Sequence, residues 1–457
     1  MKPLTRRRWL QGALATGIGG ALTPRLRADG AEIPWRNWSG ALTAHPSARF
    51  APADEAQLVA FLNTSSGPLR PVGSGHSFSP LVPTEGHLVV LDHLAGPIDH
   101  DAATHQATFG GGTRLGDMGA PLESFGQGMI NLPDIDRQTL AGATATATHG
   151  AGIAFNTLSG YVTGLRLVTP TGEVLDVDAE HRPEVFAAAR VSLGALGFVT
   201  RMRLQNRAAY RLRERTWIQR TEEVLETFDA RVAAHRHFEM FPLTHSDYAF
   251  VLEIDETDAP IHNPPTSPEE DAAFDDLMKG WHDLPPAERR AAINATAEQM
   301  MGPPTEVVDV SYKVLANIRN YRFNEMEYSV PLDAGHECLL EVLRTIDEAK
   351  IDVVFPLEYR YVKGDDLWLS MCSDGDRAAI SIHQDARFDY RPYFETIEPV
   401  FRKHGGRPHW GKVHNLSYAE LAELYPRFQD FLDVRAALDP TGRLLNDHLR
   451  RIFGLPA

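Results

Sequence analysis

The sequence holds only two cysteines in 457 residues, Cys338 and Cys372. That is too few for a disulfide framework or a zinc cluster, and one bridge between them is left open at this level. No stretch reaches the roughly 18 consecutive apolar residues that a membrane-crossing helix requires. Positive charge is also in short supply: 45 Lys and Arg stand against 61 Asp and Glu, a formal net charge of −16. Such an acidic chain is a poor partner for nucleic acid and suits small-molecule chemistry. No internal repeat is visible.

The remaining composition is ordinary for a globular protein, 43% hydrophobic and 23% charged, with no disorder signature. The length suits about two or three domains. At the N-terminus, Thr5-Arg6-Arg7-Arg8-Trp9-Leu10-Gln11 precedes a mild apolar stretch over 12–23. A basic head before a short apolar region is an export signal, and the paired arginines resemble the twin-arginine type. The resemblance implies that residues 1–28 are a signal peptide read by the twin-arginine export machinery. That machinery carries folded, cofactor-loaded protein to the periplasm or beyond. Removing the segment takes away six positive charges, Lys2, Arg6, Arg7, Arg8, Arg25 and Arg27. Its end is less well marked, because Arg27 in Leu26-Arg27-Ala28 is bulky where a small residue is usual.

Residues 35–206 read as mixed α/β. Apolar spacing at Leu58, Val59, Phe61 and Leu62 predicts a helix over 56–63, capped by Asp54, with Gly67 past its end. The stretches 165–168 and 173–176 flank Thr169-Pro170-Thr171-Gly172 and read as a hairpin. A helix is expected over 185–191, and a strand after Gly194-Ala195-Leu196-Gly197. Residues 255–299 begin acidic and proline-rich, become helix-like from 285 to 301, and read as an exposed insertion. Strands are expected over 325–330 and 353–362 with a helix near 338–349. Helical patterns fill 418–453 around a break at Asp439-Pro440-Thr441-Gly442.

Four segments carry chemistry. Arg70-Pro71-Val72-Gly73-Ser74-Gly75-His76-Ser77-Phe78 puts a nucleophilic imidazole in a glycine-rich turn just before an apolar strand candidate at 88–91. Glycines there let backbone N–H groups turn towards a bound anion. The second runs from Asn131-Leu132-Pro133-Asp134 through Gln138-Thr139-Leu140-Ala141-Gly142 to Thr146-Ala147-Thr148-His149-Gly150. Its small residues leave the backbone approachable, and its hydroxyls can donate to phosphate oxygens. In the third, Glu358-Tyr359-Arg360-Tyr361, alternation along a strand sets Glu358 beside Arg360. The fourth is Arg407-Pro408-His409-Trp410-Gly411-Lys412, too unusual a run for packing alone, and His383 stands in Ser381-Ile382-His383-Gln384-Asp385.

Together these segments resemble the FAD-linked sugar-1,4-lactone and alditol oxidase family of vanillyl-alcohol-oxidase-type flavoproteins. Trp35-Arg36-Asn37-Trp38-Ser39-Gly40 and Asn324-Glu325-Met326-Glu327-Tyr328 add to the match. The resemblance implies an α+β fold of two domains. A PCMH-type FAD-binding domain would span 35–206, and a substrate domain on an antiparallel sheet 207–417. Residues 418–457 would pack back on the first domain.

It also implies FAD bonded through His76 to its 8α-methyl carbon. Cofactor contacts are expected from Pro71, Val72, Gly73, Ser74, Gly75, His76 and Ser77. Further contacts are expected from Asn131, Pro133, Asp134, Thr139, Gly142, Thr146, Thr148 and His149. Lys412, Arg360, Glu358 and His383 would be the catalytic set, with Lys412 and Arg360 a cationic wall and no metal. The expected substrate is a sugar lactone, first an L-gulono- or D-arabinono-1,4-lactone, with dioxygen giving hydrogen peroxide. An open-chain polyol, or an acceptor other than oxygen, is the alternative. Pro133 leans towards oxygen, because oxidases of the wider family carry glycine or proline at the matching place and a related dehydrogenase group carries alanine.

Overall fold

The computed structural model describes residues 34–264, 268–317 and 321–456; the expected signal over 1–28 lies outside them. Three short strands near the start, Ala48–Phe50, Leu69–Val72 and His87–Val90, form a parallel sheet with His87–Val90 in the middle. Parallel neighbours need a crossover, and the helix Glu55–Thr64 is part of it. The Asp54 carboxylate accepts the Gln57 N–H at 2.8 Å, so the expected cap is the real one. Leu58 and Leu62 face inward and pack with Leu69, Val89 and Phe198.

Beside this sheet stands a five-stranded antiparallel one, ordered Val174–Asp178, Val162–Val168, Phe198–Gln205, Gln106–Gly110, Pro97–Asp101. The expected hairpin pairs Val174 with Val168 and turns at Gly172, whose φ of 83° favours glycine. The helix Pro183–Ala189 and the strand Phe198–Gln205 stand where the pattern placed them, to within a few residues.

The second half is built on an eight-stranded antiparallel sheet. Its order is Thr305–Val310, Arg211–Arg220, Tyr248–Glu256, His237–Pro242, Glu358–Val362, Arg377–Asp385, Phe323–Pro331, Arg407–Pro408. Side-chain alternation divides each strand between two faces. Tyr328 stacks on Phe401 of the helix Arg391–Lys403, and Tyr359 packs on Phe228 of the helix Thr221–Ala234. The intervening residues, Glu325, Glu327, Glu358 and Arg360, therefore point to the opposite face, towards the first half of the chain.

Two expectations change, and the open question of a cysteine bridge closes. The acidic, proline-rich stretch contains a helix of its own, Pro268–Asp283, antecedent to Pro286–Met300. Met278, Trp281, Ile293 and Ala297 are buried, so this insertion is part of the core rather than a purely exposed excursion. The strand expected over 353–362 begins only at Glu358. Proline at 356 has no N–H for a ladder, and its carbonyl oxygen faces His383 Nδ1 at 3.1 Å instead. Cys338 and Cys372 are both buried and unpaired.

The last helices, Tyr418–Leu424, Phe428–Leu438 and Asp447–Ile452, are joined by a segment that returns to the parallel sheet. Leu69 N donates to Arg443 O at 2.7 Å, and the Asn446 amide donates to Pro80 O and Pro83 O, each at 2.9 Å. The fully buried Arg70 guanidinium donates to Leu193 O, Gly194 O and Leu444 O. One side chain thus ties the start of the glycine-rich turn to both of its flanks. Among the described residues, no helix is long and apolar enough to cross a membrane.

Candidate active site

Leu69–Val72 lies at the edge of its sheet, where a proline at 71 removes no interior ladder bond. Beyond it, Gly75 takes a φ of 71° and its carbonyl accepts the Trp38 N–H at 2.7 Å. Phe78 N donates to Gly411 O at 2.7 Å, and Ser79 Oγ donates to Trp410 O. The first and fourth sequence segments, more than three hundred residues apart, are therefore hydrogen-bonded neighbours.

Between them runs a groove enclosing about 1150 Å³, part of it open to solvent. Pro71, Val72, Gly73, Ser74, Gly75, His76 and Ser77 line it, with Thr139, Gly142, Thr146 and Thr148 across from them. Its wall at Gly111 and Gly112 is bare backbone. A Cβ at Gly111 would lie 1.9 Å from Val199 O, and one at Gly112 2.0 Å from Leu91 O.

His76 stacks on Trp38 with ring centroids 5.3 Å apart, and its buried Nδ1 has no hydrogen-bond partner. Burial, followed by the charges of Lys412, Arg114 and Arg137, pushes the ring down to about 3, so the imidazole is neutral. A neutral ring on a groove floored by glycine fits a flavin that is gripped there.

A second cavity of about 640 Å³ adjoins the first, and Ile135, Gln138, Thr148, His409 and Lys412 line both. Glu358, Arg360, His383 and Lys412, the expected catalytic set, all face the second cavity. Strand register brings them there. Glu358 sits opposite Ser381, which sits opposite Glu327, while His383 sits opposite Glu325.

The wall is not the cationic one expected, because each cation has a carboxylate of its own. Arg360 bonds Glu358 at 2.7 Å and Glu327 at 3.3 Å, and the Lys412 ammonium bonds Glu325. Burial alone would push the Glu325 carboxyl up, but Lys412 and His383 outweigh it and hold it below the usual carboxylate range. Burial likewise opposes ionised Glu327, yet His149, His409 and Arg360 hold it well below that range. For Arg360 burial acts downward, and Glu358, Glu327, Glu239 and Glu325 together hold it above its ordinary value. His409 is pushed down to about 3, chiefly by burial, and stands neutral where the two cavities meet.

Four expected cofactor contacts lie elsewhere. Pro133, Asp134 and His149 line the second cavity rather than the groove. Asn131 lines neither: its amide donates to Ala151 O at 3.0 Å and its oxygen faces His237 Nε2 at 3.0 Å, so it fastens the loop. His149 Nε2 lies 2.7 Å from Glu327 Oε1 and its Nδ1 lies 2.9 Å from Gly150 O. Glu325, Glu327 and His409 are site residues that sequence reasoning left without a role. Their signal was alternation within Asn324-Glu325-Met326-Glu327-Tyr328 and proximity to Lys412.

Comparison with known proteins agrees with this geometry. The D-arabinono-1,4-lactone oxidase family profile matches residues 202–452, and an FAD binding domain profile matches residues 46–178. An L-gulono-1,4-lactone dehydrogenase of Mycobacterium tuberculosis is 35% identical over 432 residues, covering 92% of this chain and 99% of that one. An L-gulonolactone oxidase of Bos taurus is 28% identical over 447 residues, covering 92% and 98%. The crystal structure of cholesterol oxidase from B. sterolicum superposes with a TM-score of 0.77 at 15% identity, over 92% of this chain and 96% of that one. At that identity the likeness shows the fold alone, the two-domain PCMH type. With an FAD-binding half, a lactone-oxidase half and cavities that meet between them, the chain belongs to the D-arabinono-1,4-lactone oxidase family of FAD-dependent oxidoreductases that oxidise sugar lactones or alditols.

Proposed function

We propose that the chain removes hydride from a hydroxyl-bearing carbon of an aldono-1,4-lactone, of the L-gulono or D-arabinono type, and delivers the electrons to dioxygen as hydrogen peroxide. The observation that carries this reading is the shared lining of the two cavities, with Lys412 and His409 at the passage and Glu358, Arg360 and His383 just beyond. Bound FAD would supply the two-electron acceptor, and the protein supplies position and electrostatics. Arg360 and Lys412 offer N–H donors to substrate oxygens, and a neighbouring carboxylate, Glu358 or Glu325, accepts the hydroxyl proton. Pro133 lines the substrate-side cavity, which is consistent with its expected place near the route of oxygen.

The name of the M. tuberculosis relative favours a second reading, a lactone dehydrogenase using another acceptor. Turnover of lactones and polyols, measured under air by peroxide release and under argon with an artificial dye, separates them. Peroxide matching the lactone consumed supports the oxidase. Turnover only with dye supports the dehydrogenase, and preference for xylitol or sorbitol would move the substrate class to polyols. We further propose export by the twin-arginine route, which fractionation of expressing cells checks: protein confined to the cytoplasm with its leader intact would oppose it.

The covalent tether through His76 is part of the same proposal, supported by the neutral ring and its unpartnered Nδ1. After acid precipitation the yellow colour should stay with the wild-type pellet. In His76→Ala it should pass to the supernatant, read by absorbance. Flavin that stays with the pellet in the variant assigns the bond to another residue.

A further inference from the structure

Both ring nitrogens of His149 face oxygens. Nδ1 lies 2.9 Å from the Gly150 carbonyl oxygen, which can only accept. Nε2 lies 2.7 Å from Glu327 Oε1. A neutral imidazole has one N–H and one lone pair, so it can satisfy only one of these contacts unless the carboxyl carries the proton. Glu327 is in no position to carry it. Its other oxygen, Oε2, accepts from Ser381 Oγ at 2.7 Å and from Arg360 Nη2 at 3.3 Å. The carboxyl is also held well below its usual range, against the upward push of burial, by His149, His409 and Arg360.

We infer that His149 stands in the fold as an imidazolium, doubly donating to Gly150 O and Glu327, and that it acts as a positioning residue for Arg360 through Glu327. It is the third cation at the substrate-side cavity, beside Arg360 and Lys412. The charged and titratable groups around the pair are Arg360 and Glu358 from one strand, His383 from the next, Glu325 from the strand of Glu327 itself, and His409 and Lys412 from the segment that closes the passage. Side chains of His149 and Glu327 are each 1% exposed, so solvent contributes little to the proton's placement. A fixed cation in such a dry place needs no reorganisation when negative charge builds at the junction during turnover.

The assignment deepens the lactone-oxidation reading and rests on it only for its kinetic consequence. The full FAD-loaded protein, labelled with ¹⁵N-histidine, carries the test. The ring signals of His149 are those missing from His149→Gln. Two protonated-nitrogen signals are expected at neutral pH, because both ring nitrogens must donate. One protonated and one bare nitrogen at neutral pH would overturn the assignment.

If His149→Gln does not fold, Glu327→Gln serves instead. There one doubly protonated ring of the wild-type spectrum should be replaced by a neutral one, a change that itself identifies His149, and a spectrum with no such change would equally overturn the inference. In rapid mixing at saturating lactone, His149→Gln should slow flavin reduction by about 10²-fold, the scale of one lost preorganised donor, with FAD content unchanged. An unchanged rate would remove the positioning role. A doubly protonated His149 in a protein that turns over no lactone would refute the substrate reading and leave the protonation state standing.

Discussion

Lys412→Met is expected to slow reduction by substrate by about 10²- to 10³-fold while leaving bound FAD at the wild-type level. Methionine keeps most of the length of the side chain and its packing near Phe78, whose ring the ammonium now overlies at 5.2 Å. Only the charge and its N–H donors are lost. Lys412 lines both cavities, so those donors lie where substrate must meet the cofactor. Glu325 would lose its ammonium partner and be left with His383, whose Nε2 is 3.6 Å away.

The same change has a signature in stability. In the wild type the Glu325 carboxyl is held low, so its contribution is present above the unfolded value and fades as pH falls through the folded one. Without Lys412 the push of burial is no longer outweighed, and the carboxyl moves up. Glu325 then opposes folding at neutral pH and stops opposing it once protonated in acid. Breaking one partner of a buried pair costs about 3 to 5 kcal/mol; Lys412 is 16% exposed, which puts the expected loss at the lower end. Urea midpoints at neutral and mildly acidic pH check this: the gap from wild type should narrow on acidification. The double variant Lys412→Met/Glu325→Gln should regain stability without regaining rate. If FAD content and rate fall together in the single variant, Lys412 is a structural residue.

How much of this site could be read from residue order depends on which interaction makes each part. The turn at 70–78 was legible because a histidine among glycines has few packing explanations, and the structure places that turn on the groove. Glu358 and Arg360 were legible because alternation is local to one strand. Glu325 and Glu327 were not. Two carboxylates on alternate positions of a strand look like a solvated face, and only pairing with Arg377–Asp385 and closure by His149 and Lys412 bury them. The same long-range closure turned an expected cationic wall into a row of paired charges. Asn131 failed for a related reason: an asparagine beside a small-residue run suits a ligand contact as well as it suits a loop clasp, and His237, which decides the matter, is 106 residues away. The helix Pro268–Asp283 was hidden because prolines and acidic residues mask the apolar positions that bury Met278 and Trp281.

Arg360→Leu is expected to be the most damaging single change in the second cavity. The guanidinium is 7% exposed and forms the bridge between Glu358 and Glu327. Leucine would leave both carboxylates buried without it, a loss of about 3 to 5 kcal/mol by the measure of broken buried pairs, together with a fall in turnover of about 10²-fold or more. The pH dependence follows from Glu327 rather than from the arginine, which is held above its ordinary value and stays charged throughout. Because Glu327 is held low in the fold, its stabilising contribution exists above roughly pH 4.3 and is lost as acid approaches the folded value. Removing Arg360 shrinks that contribution, so wild type and variant should converge in urea midpoint below about pH 4. Arg360→Lys separates charge from shape. It restores one cation but not the planar fork that spans two carboxylates, so stability should recover in part and turnover hardly at all. An Arg360→Leu protein with the wild-type midpoint at neutral pH would mean that the surrounding carboxyls already hold protons in the fold, and the charge arrangement drawn for this cavity would have to be inverted.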